Sequence, residues 1–200
     1  MNKSKKRRII FSIVLLGGLS VNADCSSEWD EFLRHPNKET LVVLEKSIAA
    51  SPKRCRSDIP PLQRHRTQLS ELICEGSPFA FRAALLVSEC WDGGELEDFY
   101  RDAGIFFERQ PLVFLQTVKE KAIKDSQLRY MIIMLPLYTV DNINLKLSVV
   151  ENRIAILKTI REESLNEKRD KGISFLKKEK KNLEKIRIEM DETSPPDTFK

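Results

Sequence analysis

Past its first 23 residues the sequence carries five of its seven glycines and no stretch in which polar and apolar side chains alternate. A strand with one solvated face needs that alternation. Apolar residues instead return at three- and four-residue steps, the period that gathers them on one side of a helix. Leu41, Leu44 and Ile48 share a face of KETLVVLEKSIAA, and Leu96, Phe99, Tyr100, Ala103 and Phe107 share one of ELEDFYRDAGIFFERQ. Ile143, Leu147, Val150, Ile154 and Leu157 follow at heptad-like steps. An all-α fold is the expectation.

Prolines and capping residues divide the chain into helices. Ser27 with Asp30 three residues on resembles a capping box. Pro36-Asn37 starts the next helix and Pro52 ends it; Pro60-Pro61 opens LQRHRTQLSELICEG, which stops at Gly76. Ser77-Pro78 pairs an N-cap with a first-turn proline, and Gly93-Gly94 is expected to close that helix. Pro111, Asp125-Ser126 and Asp141 begin three more. Starts from 61 to 126 fall roughly sixteen residues apart, which suits antiparallel helices joined by short loops. The prediction is an irregular α-solenoid or an orthogonal helical bundle of about eight helices with a long charged C-terminal helix, the solenoid slightly favoured. No self-similar repeat accompanies the spacing.

Two segments stand out. MIIMLPL, Met131 to Leu137, is apolar all round, so it reads as a helix buried on every side that Pro136 kinks or ends. From Arg161 to Glu192 there are ten basic and nine acidic residues. Leu176, Leu183, Ile186 and Met190 form a thin stripe there, that of a solvated helix lying along the body or against a partner. Gly172 is its expected weak point. Lys177 to Arg187 holds six basic and two acidic residues, read as a charged helix face because Glu179, Glu184 and Glu189 interrupt it.

The N-terminus bears on compartment. KSKKRR at residues 3 to 8 precedes the uncharged run IIFSIVLLGGLSV, then Val21-Asn22-Ala23. A basic region, a short apolar region and a small-x-Ala site describe a secretory leader cleaved after Ala23. The run has 13 residues, short of the roughly 20 that span a bilayer. Asn22 and Asp24 argue against lipid attachment at Cys25. The expected organisation is 1-23 signal peptide, 24-163 helical domain with two disulfides, 164-192 charged helical extension and 193-200 tail, in a periplasmic or secreted protein. Of the 34 Lys and Arg residues, Lys3, Lys5, Lys6, Arg7 and Arg8 leave with the leader, so 29 remain against 30 acidic. The basic balance therefore belongs to the export signal, and no nucleic-acid partner is expected.

Cys25, Cys55, Cys74 and Cys90 all remain, and an even count in an exported chain favours disulfides. With helices 61–75 and 78–91 antiparallel, Cys74 and Cys90 stand roughly 17 Å apart along the axis, beyond the reach of about 7 Å. That favours Cys25–Cys74 with Cys55–Cys90; the fallback is Cys25–Cys55 with Cys74–Cys90. A Cys74–Cys90 peptide in non-reducing mapping would contradict the first pairing. With no C-x-x-C and only His35 and His65, no zinc site or other cofactor is expected. His65 reads as a satisfied core or rim residue, and His35 sits at a helix end. No nucleophile elbow, phosphate loop or EF-hand pattern occurs. The acidic stretch DGGELED suits a helix start. The principal reading is thus an exported protein-binding, adaptor or inhibitor/immunity-type protein. The alternative is an envelope-polymer hydrolase using Glu95 or Asp98 with Arg101.

Overall fold

The computed structural model describes residues 26–50 and 59–193. Among them are nine α-helices, three short 3-10 turns and no strand. The helices are α1 Ser26–Arg34, α2 Lys38–Ala50, α3 Ile59–Cys74, α4 Pro78–Val87, α5 Gly93–Arg109, α6 Pro111–Glu120, α7 Asp125–Ile133, α8 Ile143–Thr159 and α9 Asn166–Thr193. The leader, Cys25, Cys55, Pro52 and the C-terminal tail lie outside the described residues.

Several helix starts follow the expected chemistry. Asn37 Oδ1 accepts from the Thr40 amide at 3.0 Å, and Thr40 Oγ1 bonds the His35 carbonyl at 2.6 Å. Ser77 Oγ accepts from the Ala80 amide ahead of Pro78. Gly76 takes φ +96°, a left-handed conformation that costs glycine nothing. Two expectations need correction. Ser27 lies inside α1, and its hydroxyl bonds Glu28 rather than a helix-end amide. Gly93 and Gly94 do not close α4; they form the first turn of α5, after a 3-10 turn over Ser88–Cys90.

The helices stack in two rows. Odd-numbered helices pack on one another in order, α1 on α3, α3 on α5, α5 on α7 and α7 on α9, while α2, α4 and α6 form the second row. Through α7 and α9 in one row and α2, α4 and α6 in the other, each helix meets the next but one, as in a short α-solenoid, while α8 pairs with α9 instead. The rows meet at α4, whose Ala80, Phe81, Ala83, Ala84 and Val87 are fully buried. Its alanines bring neighbouring helices close, and Phe81 fills the space between them. The Phe81 ring stacks on Phe106 at 4.5 Å and on Phe114 at 5.4 Å.

The stacking changes character at MIIMLPL. Helix α7 ends at Ile133, Met134 to Pro136 are extended, and Leu137–Thr139 makes a 3-10 turn. Met131 and Ile132 lie in the core, Met134 and Leu135 pack against it half-buried, and Leu137 is 65% exposed. An all-round buried helix is thus not what forms. Proline disfavours helical backbone at the residue before it and supplies no amide, so the helix stops early. That leaves backbone carbonyls without helical partners. Two arginines take them. Arg153 Nη1 donates to the Ile132 carbonyl at 2.6 Å and the Met134 carbonyl at 2.8 Å. Arg101 Nη1 donates to the Leu135 carbonyl at 3.0 Å.

Arg153 is 0% exposed, and its Nε pairs with Glu108 Oε1 at 2.7 Å. Burial lowers the guanidinium pKa and the Glu108 charge opposes that shift; a guanidinium stays cationic inside proteins. Gly104, one turn before Glu108 on α5, clears the space: a Cβ there would stand 2.6 Å from Arg153 Nη2 and 3.0 Å from the Met134 carbonyl.

Helix α9 is continuous through Gly172, contrary to the expected break. A Cβ at 172 would stand 3.0 Å from Ile132 Cδ1 and from Leu157 Cδ1, so this glycine permits close packing. Leu176 and Leu183 are buried, and Lys180 Nζ reaches Glu151 of α8 at 2.6 Å. Lys168 and Lys171 both reach Asp125 at the start of α7. The charged helix thus lies along the body. Gly104→Ala is expected to destabilise the protein by about 1–3 kcal/mol through overpacking against Arg153 and the Met134 carbonyl. Urea denaturation checks this, and a variant as stable as the parent would contradict it.

Candidate functional site

A concavity opens where α3, α5 and the Leu137–Thr139 turn meet. Its volume is about 590 Å³. The i, i+4 spacing of Arg66 and Ser70 on α3 directs both into it, and Asp98, Arg101, Asp102 and Ile105 do the same from α5. Pro136, Leu137 and Tyr138 form the opposite edge. This edge exists because Pro136 ended α7 early and the following turn projects outward. Tyr138 is 70% exposed, and Val140 beyond it is also exposed.

The charges on the floor are arranged in pairs. The Arg66 guanidinium bonds Asp98, and its Nη1 lies 3.5 Å from Glu95 Oε1. Arg101 spends one nitrogen on the Leu135 carbonyl, and another lies 3.7 Å from Glu97. Its Nε is buried with no partner among the described residues. Asp102 sits deeper. Burial raises its carboxyl pKa, while hydrogen bonds from Ser70 and Cys74 pull it back down. The Cys74 thiol donates to Asp102 Oδ1 at 3.4 Å. Burial, and next the adjacent Asp102 charge, push that thiol up to about 12.

Two of the three hydrolase candidates, Asp98 and Arg101, line this cleft. Glu95 does not: it turns behind Arg66 toward Trp91 and Phe99. Asp102, Arg66, Ser70 and Tyr138 escaped the sequence reading. Asp98 and Asp102 stand at i, i+4 on α5, so their shared face was available from spacing; the facing helix was not. His65 is buried elsewhere, with Nε2 at 3.3 Å from Asp30 Oδ1. His35 is exposed between α1 and α2.

Cys74 and Cys90 carry free thiols in this structure, and Cys25 and Cys55 lie outside the described residues. Among the described residues no cluster of three or more His, Cys, Asp or Glu is placed to hold a metal. No described helix is long and apolar enough to cross a membrane. Comparison with protein-family models, curated proteins and solved structures gives no match for this chain.

The cleft offers ionic pairing of both signs on its floor and apolar surface at its edge, with the Asp102 carboxyl bonded in turn by the Cys74 thiol. In the reduced protein, Cys74 should alkylate near pH 8 about a thousandfold more slowly than an unperturbed cysteine, because the thiolate is the nucleophile. Asp102→Asn removes the nearby negative charge and should speed the reaction. Iodoacetamide kinetics followed by peptide mapping check this; parent labelling at the rate of an unfolded cysteine would contradict it.

Proposed function

We propose that this is an exported helical binding protein that holds a segment of another polypeptide in the α3–α5 cleft. The observation that carries the reading is the rim: Leu137 and Tyr138 are 65% and 70% exposed beside the concavity of about 590 Å³. Tyrosine supplies a large, amphipathic contact area and is enriched at protein interfaces. The floor beneath is polar, and its charges are already paired. Such a floor can orient a bound peptide through the free lone pairs of Asp98 and the exposed edges of Arg66, while the rim supplies apolar contact.

Export rests on the residue 1–23 leader, and the two disulfides, Cys25–Cys74 and Cys55–Cys90, belong to the same reading. A protein partner, rather than a nucleic acid or a stable membrane anchor, fits the nearly balanced charge of residues 24–200.

One observation favours a second reading, an envelope-polymer hydrolase. Asp98 pairs with Arg66, while burial raises the carboxyl pKa of Asp102, one turn away. Neighbouring carboxyls in unequal environments are a pattern of general acid–base sites. The two readings separate by mutation. In the binding reading Tyr138→Ala weakens the partner complex at least about tenfold, as an interface anchor does, and leaves thermal stability unchanged. Asp102→Asn leaves binding nearly intact. Titration calorimetry with the partner captured through a photo-crosslinker at position 138 measures both. A crosslinked product obtained equally from exposed Val43 on α2, or unchanged affinity in Tyr138→Ala, would contradict the proposal.

A further inference from the structure

A second surface lies away from the cleft, on the outer side of α9. At 100° per residue, Ser174, Lys177, Lys178, Lys181 and Lys185 fall within one strip about 100° wide. All five are exposed. The strip borders a groove of about 450 Å³ between α8 and α9, with Lys158 and Lys177 on its lips and Ile173 within.

The glutamates that interrupt this run in the sequence flank the strip in space or lie off it. Glu179 is half-buried on another side of the helix. Glu184 lies near Lys180, which faces α8. Glu189 lies 3.5 Å from Lys185. Among the described residues Lys158, Lys177, Lys178 and Lys181 enter no ion pair. Like charges at i, i+4, as in Lys177 and Lys181, disfavour a helix, so this row weakens α9 unless an acidic surface meets it.

The inner side of α9 shows how such lysines are used. Lys180 reaches Glu151 on α8, and Lys168 and Lys171 reach Asp125 on α7. We propose that the outer lysine row docks an acidic polypeptide segment in the same manner, with carboxylates against Lys158, Lys177, Lys178 and Lys181 and one apolar side chain over Ile173. A membrane surface fits less well, because an interfacial helix needs an apolar flank beside its basic one. Here Ile186 and Met190 point about 80° and about 120° away from the nearest lysine of the strip by helical geometry, and the one exposed apolar residue that falls within it, Ile188, makes no flank. A nucleic acid fits less well too: the row holds lysines only and rises about 12 Å from Lys177 to Lys185.

The test uses the full chain with a short poly-L-glutamate peptide as probe. Residue-resolved NMR titration separates binding here from any at the basic residues 3 to 8. Amide shifts should concentrate over residues 173–185, and K177E/K178E/K181E should weaken that site about tenfold or more, as charge reversal at an electrostatic interface does. The triple Lys→Arg variant should retain it, and circular dichroism should be unchanged in both; should the Glu variant misfold, the triple Lys→Gln variant replaces it. Absence of shifts over 173–185, or equal affinity in the charge-reversed chain, would overturn the proposal. So would tighter binding through these lysines to phosphatidylglycerol vesicles or a short DNA duplex. Salt-sensitive self-association of the chain would also overturn it, since the groove between α1 and α2 carries Glu28, Glu31 and Glu39.

Discussion

The structure depends on one buried cation. Arg153 lies where three helices meet, and every group around it has a reason to be there. Pro136 stops α7, the stop frees the carbonyls of Ile132 and Met134, and the guanidinium collects both. Glu108 balances its charge, and Gly104 leaves room for its plane. A cation is the favoured group at a helix C-terminus, where carbonyl dipoles converge. Arginine suits this task better than lysine because its planar fork reaches several acceptors at once. Breaking a buried pair strands its partner without solvent, which costs far more than the intact pair contributes.

The candidate binding cleft is a consequence of that arrangement. Had α7 continued through residue 137, Leu137 and Tyr138 would follow the helix instead of edging the concavity. The extended segment carries them outward, and Arg101 on α5 fixes the Leu135 carbonyl from the cleft side. The same break turns the chain so that α8 and α9 can pair along their length, the outermost layer of the stack. The inner face of α9 joins the body through Leu176, Leu183 and three lysines. Its outer face presents the lysines that have no carboxylate. One proline and one arginine thereby position both proposed surfaces.

Much of the fold was legible in the sequence. Helical periodicity, capping residues and proline placement located the helices, and roughly sixteen-residue spacing anticipated a stacked architecture. Local rules work where local energies decide, as at Asn37 and Ser77. They failed where tertiary packing decides. Gly172 reads as a helix breaker by propensity, yet its missing side chain admits Ile132 and Leu157. MIIMLPL reads as a buried helix by hydropathy, yet the backbone cost of Pro136 outweighs the apolar pattern. Arg153 shares the face of Val150 and Leu157 and carries a charge, so nothing in its neighbours marks it as buried. The cleft was half visible: Asp98 and Arg101 lie on the α5 face that lines it, but the opposing face of α3 enters only through the fold.

Native-state hydrogen exchange tests the central role of Arg153 most directly. The amides of Thr139, Val140 and Asn142 bond the carbonyls of Pro136, Leu137 and Thr139 in the turn that the arginines secure. If Arg153 holds this segment, Arg153→Met should strip protection from those amides while α4 remains protected, and global stability should fall by about 3–5 kcal/mol as the Glu108 charge loses its partner. Unchanged protection at the three amides, with stability within experimental scatter of the parent, would contradict the account.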